Sequence, residues 1–365
     1  MPQLQGLEHD SSDPRRRQRV TRVELAIVLG WSLVALAIAA LAVRGAIAYA
    51  RRRGMLDQPG QRRSHTLPTP RGGGIGIVLA CLVVLPCILC SLAGPWGAPT
   101  IANLELALVL VAAIGWWDDH RSLRQWPRLG VQLLATAFFG GALLADAGLA
   151  WGWLPLLVLA GGWSINLHNF MDGIDALLAQ QGIFVAAGLG CLAASAGQPA
   201  LAGAGFATAA ACLGFWLYNR PPARIFMGDV GSGSVGLLLF ALSAMLWRIE
   251  PTLVWPALIL GSSFVADASL TLLNRFLRGR RWYAPHREHL YQWLVRSGGT
   301  HARAAAWYLG WNLLVAAPGA IAARQYPAMA LPACAAVYTV AGATWIVSKR
   351  RCMRRVSMKD RHVAT

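Results

Sequence analysis

The sequence predicts an all-α, polytopic integral membrane protein: a helical bundle of about eleven transmembrane helices, ten at the lower count, with its working loops on the cytoplasmic face. Three observations carry this prediction. Hydrophobic residues are 56% of the 365 and are gathered into eleven long runs nearly free of charge, most of them near the ~20 residues that cross a bilayer core. Charged residues are only 13%, about half the ~25% of soluble domains. Lys and Arg favour one side of the runs, as they do in membrane proteins. Two classes are excluded by the same facts. Disorder requires low hydrophobicity. The formal charge of +17, which alone would suggest a nucleic-acid partner, lies mostly in loops between apolar spans.

In chain order the runs are 25–43, 74–93, 101–117, 129–145, 151–165, 183–196, 201–218, 235–247, 253–273, 304–323 and 328–347. The first reads as a span rather than a cleaved leader, because 24 polar-rich residues precede it and no small-residue cleavage site follows before Arg44. Six of the seven cysteines lie inside runs. The Cys87-x-x-Cys90 pair has no second pair or nearby His to complete a metal or redox site, so it reads as small buried hydrophobes.

Counted loop by loop, 26 of the 33 Lys and Arg fall on the side of the C-terminus. That side is therefore expected to be cytoplasmic and, with eleven spans, the N-terminus to lie outside. The basic stretch at 15–22 runs against this placement. The expected organisation is a polar basic segment at 1–24, a membrane-embedded domain at 25–347 and a basic cytoplasmic tail at 348–365.

The loops on the basic side also hold the polar clusters, where a rigid bundle is expected to carry its chemistry. In GWWDDHRSL, Asp118 and Asp119 are adjacent carboxylates. Either a cation or a raised pKa relieves their repulsion, or they form a polar helix end beside Arg121 and Arg124. In NLHNFMDGIDALLAQQG, the residues Asn166, Asn169, Asp172 and Asp175 recur every three positions, a spacing that lines up one face of a helical turn. In NRPPARIFMGDVGSGSVG, Asp229 opens a Gly-rich turn into a span. Residues 231–236 match G-x-G-x-x-G, but membrane spans flank them where a dinucleotide fold needs strands; the exposed N–H groups of such a turn could still face phosphate. The segment RRSHTLPTPRGGG joins Arg62, Arg63, His65 and Arg71 to prolines and glycines, a basic turn suited to phosphates. In RGRRWYAPHREHLYQ, His286 and His289 flank Arg287; a His–Arg phosphate clamp is favoured over zinc, for which no third ligand is near. Asp267 lies inside the ninth run and reads either as a functional intramembrane charge or as a partner of Thr271 and Arg275 along its own helix. Together these features reach phosphoryl transfer between an anionic soluble substrate and a lipid at the membrane surface.

The motifs HTLPTPRGGG, WWDDHRSL, NFMDGIDALLAQQG and NRPPARIFMGDVGS, in that order over about residues 54–305, resemble those of the polyprenyl-phosphate N-acetylhexosamine-1-phosphate transferases, glycosyltransferase family 4. The resemblance implies an Mg²⁺-dependent enzyme of the bacterial inner membrane, with Mn²⁺ as a substitute ion and a cytoplasmic active site. It implies transfer of sugar-1-phosphate from a UDP-N-acetylhexosamine to undecaprenyl phosphate, with UMP leaving. It implies contact with the lipid bilayer, no nucleic-acid partner, and a homodimer as in some members. Carried onto this chain, Asp118 matches the acid proposed to bind or deprotonate the lipid phosphate; a phosphate's second pKa near ~6 makes a base optional, which favours positioning. Asp119 and Asp229 match metal positions, and Asn169, Asp172 and Asp175 the nucleotide and metal-side motif. Asn219 and Phe226 match the nucleotide pocket, with Phe226 suited to stacking on uracil. His289 matches a His of the catalytic loop; His65, Arg71, His286 and Arg287 complete the expected binding set. Two departures stand out. The loop lacks the consecutive histidines of the muramoyl-pentapeptide branch, having Arg287, Tyr291 and Gln292 nearby, and so looks more like the branch that starts O-antigen chains. Ala176 stands where the family often has Gly. The competing expectation is a transporter or flippase of lipid-linked sugars, which would place acids mid-span or facing both sides.

Overall fold

The computed structural model describes residues 14–57, 68–92, 94–281, 284 and 286–363, with side chains between 22 and 358. Each of the eleven apolar runs falls on helix, in the order α1 (Pro14–Arg53), α2 (Ile75–Ser91), α3 (Ala98–His120), α4 (Gln125–Ala147), α5 (Leu154–Phe170), α6 (Leu177–Ser195), α7 (Pro199–Asn219), α8 (Asp229–Ile249), α9 (Val254–Leu260), α10 (Ser262–Leu277), α11 (Leu290–Arg296), α12 (His301–Trp311), α13 (Ala317–Gln325) and α14 (Ala330–Val363). The protein is thus an all-α polytopic membrane bundle. Among the described residues, eight helical stretches are long and apolar enough to cross a membrane, or nine if α9 and α10, bent by 76°, form one broken span. The other two runs are α2 and α5, each of 17 residues. At ~1.5 Å per residue they reach ~26 Å, the short end of what spans a bilayer. Among the described residues the one β element is a two-residue antiparallel ladder, β1 (Leu56–Asp57) on β2 (Thr69–Pro70).

Small residues decide which helix is central. In α8, 89% of the most apolar stretch is buried, against 22% in α1. Its sequence GSGSVG lets neighbours approach to backbone distance, the usual device of helix packing in membranes. A Cβ on Gly74 would lie 2.1 Å from the Gly231 Cα, and one on Gly236 would lie 2.6 Å from the Ser164 carbonyl oxygen. The expected phosphate-cradling use of this glycine run is thereby corrected. The first two N–H groups of α8 are taken by Asp119, and those of Gly231 and Ser232 by the Gly228 carbonyl.

At one end of the bundle the helices are tied by ion pairs. Asp146 at the end of α4 accepts from Gly97 N–H (2.9 Å) and Thr100 Oγ1 (2.9 Å) around the start of α3, and from Arg248 of α8 (3.0 Å). Arg324 of α13 donates to Glu250 (3.0 and 3.2 Å) and to Ser195 at the end of α6 (2.8 Å). Arg248 and Arg324, two of the seven Lys and Arg expected on the sparse side, are both engaged in these ties. The opposite ends of the same helices carry the polar clusters.

Candidate active site

The acids meet because α3 and α8 cross at a glycine. A Cβ on Gly115 would stand 2.4 Å from the Asp229 carbonyl oxygen, so Asp118 and Asp119, one helical turn on, reach the start of α8. Asp119 caps that start from outside: its Oδ1 accepts from Asp229 N–H (3.0 Å) and its Oδ2 from Val230 N–H (3.1 Å). A carboxylate there also complements the helix dipole. Gly228, with φ 75° and a phantom Cβ only 2.5 Å from Asp119 Oδ2, admits no side chain. Asp229 accepts from Asn169 Nδ2 (2.6 Å), which also donates to Ser232 Oγ (3.0 Å). Arg128, on the first turn of α4, donates to Asp118 and lies 3.1 Å from Asp229 Oδ2, while Leu123 N–H donates to the other oxygen of Asp118 (2.6 Å). Arg71 faces Asp119 at 3.7 Å. Its loop is sewn to the α7–α8 connection by backbone bonds, Phe226 N–H to Pro70 (2.8 Å) and Gly73 N–H to Phe226 (2.9 Å), which sets Arg71 and Phe226 on one rim.

Of these groups, Asp118, Asp119 and Arg128 stand behind Arg71, Asn169, Phe226, Gly228 and Asp229, which line a cavity of about 300 Å³. Its walls include Arg71, Asn169, Asp172, Asp175, Asn219, Phe226, Asp229, His286 and Arg287, nine residues singled out from sequence. Asp172 is half-buried between α5 and α6; burial, with the Asp229 and Asp119 charges adding to it, pushes its carboxyl up to about 8 against the pull of Arg71. It therefore carries its proton at neutral pH. His286 is pushed down to about 4 by burial, with His289 and Arg275 nearby, which leaves Arg287 as the cationic member of the expected clamp.

Several expectations change. The three-residue stripe is not one helical face. Asn166 turns away to Gln132 (2.8 Å), Asn169 ends α5, and Asp172 and Asp175 lie in the turn before α6. His289 does not line the cavity. It is 2% exposed, packed between Phe170 (ring centroids 6.2 Å apart) and Tyr291 (5.9 Å), and burial lowers its pKa. The ring packs among aromatic neighbours, and the loop presents His286 and Arg287 to the cavity instead. The Asn219 amide is committed to backbone, accepting from Ala176 N–H and donating to Ile225 O (both 2.9 Å). Asp267 is not paired with Arg275, which binds Glu288; it is a buried acceptor for four other residues. His65 lies outside the described residues.

Ala176 sits at φ 66°, a left-handed conformation costly for any residue with a Cβ. Ala176→Gly is accordingly expected to raise the unfolding midpoint in detergent, whereas Ala179→Gly inside α6 lowers it. A fall in both would mean that Ala176 is not strained.

The carboxylates suit a hard divalent cation such as Mg²⁺, which usually takes one or two carboxylates plus substrate phosphates. Among the described residues no group of three His, Cys, Asp or Glu side chains forms a closed cage. Asp229, on the cavity wall, fits as a ligand; both oxygens of Asp118 are already taken, one by Leu123 N–H and one by Arg128. Asp119 fits less well than expected. Its side chain is fully buried and each oxygen already accepts an N–H, which makes it the acid that positions Asp229.

Sequence inspection missed Arg128 and His301. Both are basic residues on the first turn of a helix, where the dipole disfavours a cation unless a partner compensates, and that signal was available.

Comparison with known proteins gives a consistent picture. A family model, Glycosyl transferase family 4, matches residues 101–247. The chain is 36% identical over 231 residues to a phospho-N-acetylmuramoyl-pentapeptide-transferase of Synechococcus sp., covering 56% of this chain and 61% of that one. It is 30% identical over 326 residues to a decaprenyl-phosphate N-acetylglucosaminephosphotransferase of Mycolicibacterium smegmatis, covering 76% and 75%. It is 28% identical over 298 residues to a probable undecaprenyl-phosphate N-acetylglucosaminyl 1-phosphate transferase of Bacillus subtilis, covering 78% and 80%.

Proposed function

Because this chain belongs to glycosyl transferase family 4, the polyprenyl-phosphate hexosamine-1-phosphate transferases, we propose that it transfers an N-acetylhexosamine-1-phosphate from a UDP-sugar to undecaprenyl phosphate in a bacterial inner membrane, with the cavity on the cytoplasmic side. The observation that carries this reading is the convergence of Asp118, Asp119 and Asp229 with Arg71 and Arg128 beside one cavity at the membrane edge. Phosphoryl transfer is mainly a matter of placing and neutralising anions, and this wall offers cations and acids within one another's reach.

An oxygen of the lipid phosphate attacks the phosphorus that bears the sugar. The bond from that phosphorus to the bridging oxygen breaks, and UMP leaves with the electron pair; the bond from sugar carbon to oxygen is untouched. Phe226 stacks on the base, Arg71 and Arg287 hold the pyrophosphate, and Asp118 with Arg128 orients the incoming lipid phosphate. Mg²⁺ held by Asp229 would act as a Lewis acid on the pyrophosphate. The HREHLYQ loop supports an O-antigen-type pathway over the muramoyl-pentapeptide one, although relatives carrying the latter name are also similar.

Purified protein given undecaprenyl phosphate, Mg²⁺ and a panel of UDP-N-acetylhexosamines (GlcNAc, GalNAc, QuiNAc, FucNAc) is expected to release UMP with at least one donor. Silence with every donor, while the Bacillus relative turns over in parallel, would overturn the reading.

A further inference from the structure

His286 and Arg287 line the cavity, yet the next residue, Glu288, does not. Its carboxylate turns the other way, to the end of α10. Arg275 donates to it through Nη1, and Arg280 donates to the same oxygen (3.0 Å). The other arm of the Arg275 fork, Nη2, donates to the Arg281 carbonyl (2.9 Å). One guanidinium, on a residue only 7% exposed, thus grips two points of the connection between α10 and α11, Arg281 and Glu288. Burial alone would raise the Glu288 carboxyl; Arg275 and Arg280, with Lys349 beyond them, hold it below its usual range, so it is ionised at neutral pH. On the far side of Glu288 the chain is also committed. His289 is packed between Phe170 and Tyr291, and Leu290 N–H is bonded to Asp267. A buried ion pair contributes little net stability. What this one fixes is direction, at the residue next to Arg287.

We propose that Glu288 is a positioning residue for the transfer: held by the Arg275 fork and by Arg280, it sets Arg287 toward the pyrophosphate of the donor. The inference rests on the UDP-sugar reading above. Glu288 stands off the cavity wall and does not meet the substrate, so it acts through Arg287.

The test is a double-mutant cycle on UMP release by the full-length protein in detergent. Glu288→Gln keeps the shape and an acceptor oxygen but loses the charge. Arg275→Lys keeps the charge but has no planar fork to hold two partners at once. Each is expected to lower kcat/KM for the UDP-sugar about tenfold, since a small misplacement of a binding group is costly. KM for the lipid acceptor is expected to stay unchanged in both, and the unfolding midpoint of Glu288→Gln to stay near wild type. In an Arg287→Ala background neither change is expected to lower kcat/KM by more than about twofold further, because the side chain being placed is gone; groups that act independently give losses that add. Additive losses in that background overturn the inference and leave Glu288 a support of the fold alone, and wild-type kcat/KM in both single variants overturns it too. A wild-type protein that releases no UMP overturns the proposed function, and this inference with it.

Discussion

Asp229→Asn is expected to lower UMP release by ~10³-fold or more while the protein remains folded. The change is isosteric and leaves the first N–H groups of α8 on Asp119 (3.0 and 3.1 Å), so the helix start is not disturbed. What disappears is one negative charge at the point shared by Asn169 and Arg128. Losing one group that stabilises charge in the transition state commonly costs ~10²–10³ in rate, and in the proposed function the same group would be the main carboxylate for a cation. The unfolding midpoint in detergent, measured beside turnover, separates chemistry from folding. Near-normal turnover would remove Asp229 from the reaction, and a collapsed midpoint would show that its charge serves the fold.

Asp267→Ala is expected to have the largest effect on stability. Asp267 is 2% exposed and accepts from Leu290 N–H (2.8 and 3.0 Å), Thr271 Oγ1 (3.1 Å), Tyr308 Oη (2.7 Å) and Trp345 Nε1 (2.9 Å). It thereby holds the start of α11 to α10, α12 and α14. Truncation strands several buried donors at ~1–3 kcal/mol each, so a loss of ~4 kcal/mol or more is expected on unfolding in detergent. Asp267→Asn retains one acceptor oxygen and should lose less. Since α11 carries Gln292 and Arg296 to the cavity, activity should fall with stability. A variant as stable as wild type would mean that these donors find other partners.

Much of the fold was legible because bilayer spans write themselves as uninterrupted apolar runs, and a helix is the economical way to satisfy backbone groups in lipid. The acid motifs were legible for a related reason: in a chain so poor in acids, Asp118, Asp119, Asp172, Asp175 and Asp229 stand out against apolar neighbours. What a single chain order could not express was direction. Asn166 and Asn169 are one turn apart, yet one faces Gln132 and the other Asp229. His286 and His289 are three residues apart, yet the loop turns one to the cavity and buries the other between rings. The Gly-rich start of α8 reads as a phosphate turn until Gly74 and Gly115 are found against it. The bend at Gly261 did leave a trace, the Gly261-Ser262-Ser263 run inside the ninth apolar stretch, a composition that often marks a helix kink.

The ion pairs Asp146–Arg248 and Glu250–Arg324 have a mechanical consequence. They staple α3, α4, α6, α8 and α13 at the ends away from the acids. The bundle is then tied at the ends away from the acids as well as at the acid cluster itself, where Arg71 and Arg128 meet Asp118, Asp119 and Asp229. A carrier that alternately opens to both sides of a membrane would have to break and remake both staples in every cycle. In the proposed function the nucleotide would enter and leave by the opening it came through, and the lipid would arrive along the edge, with nothing carried across.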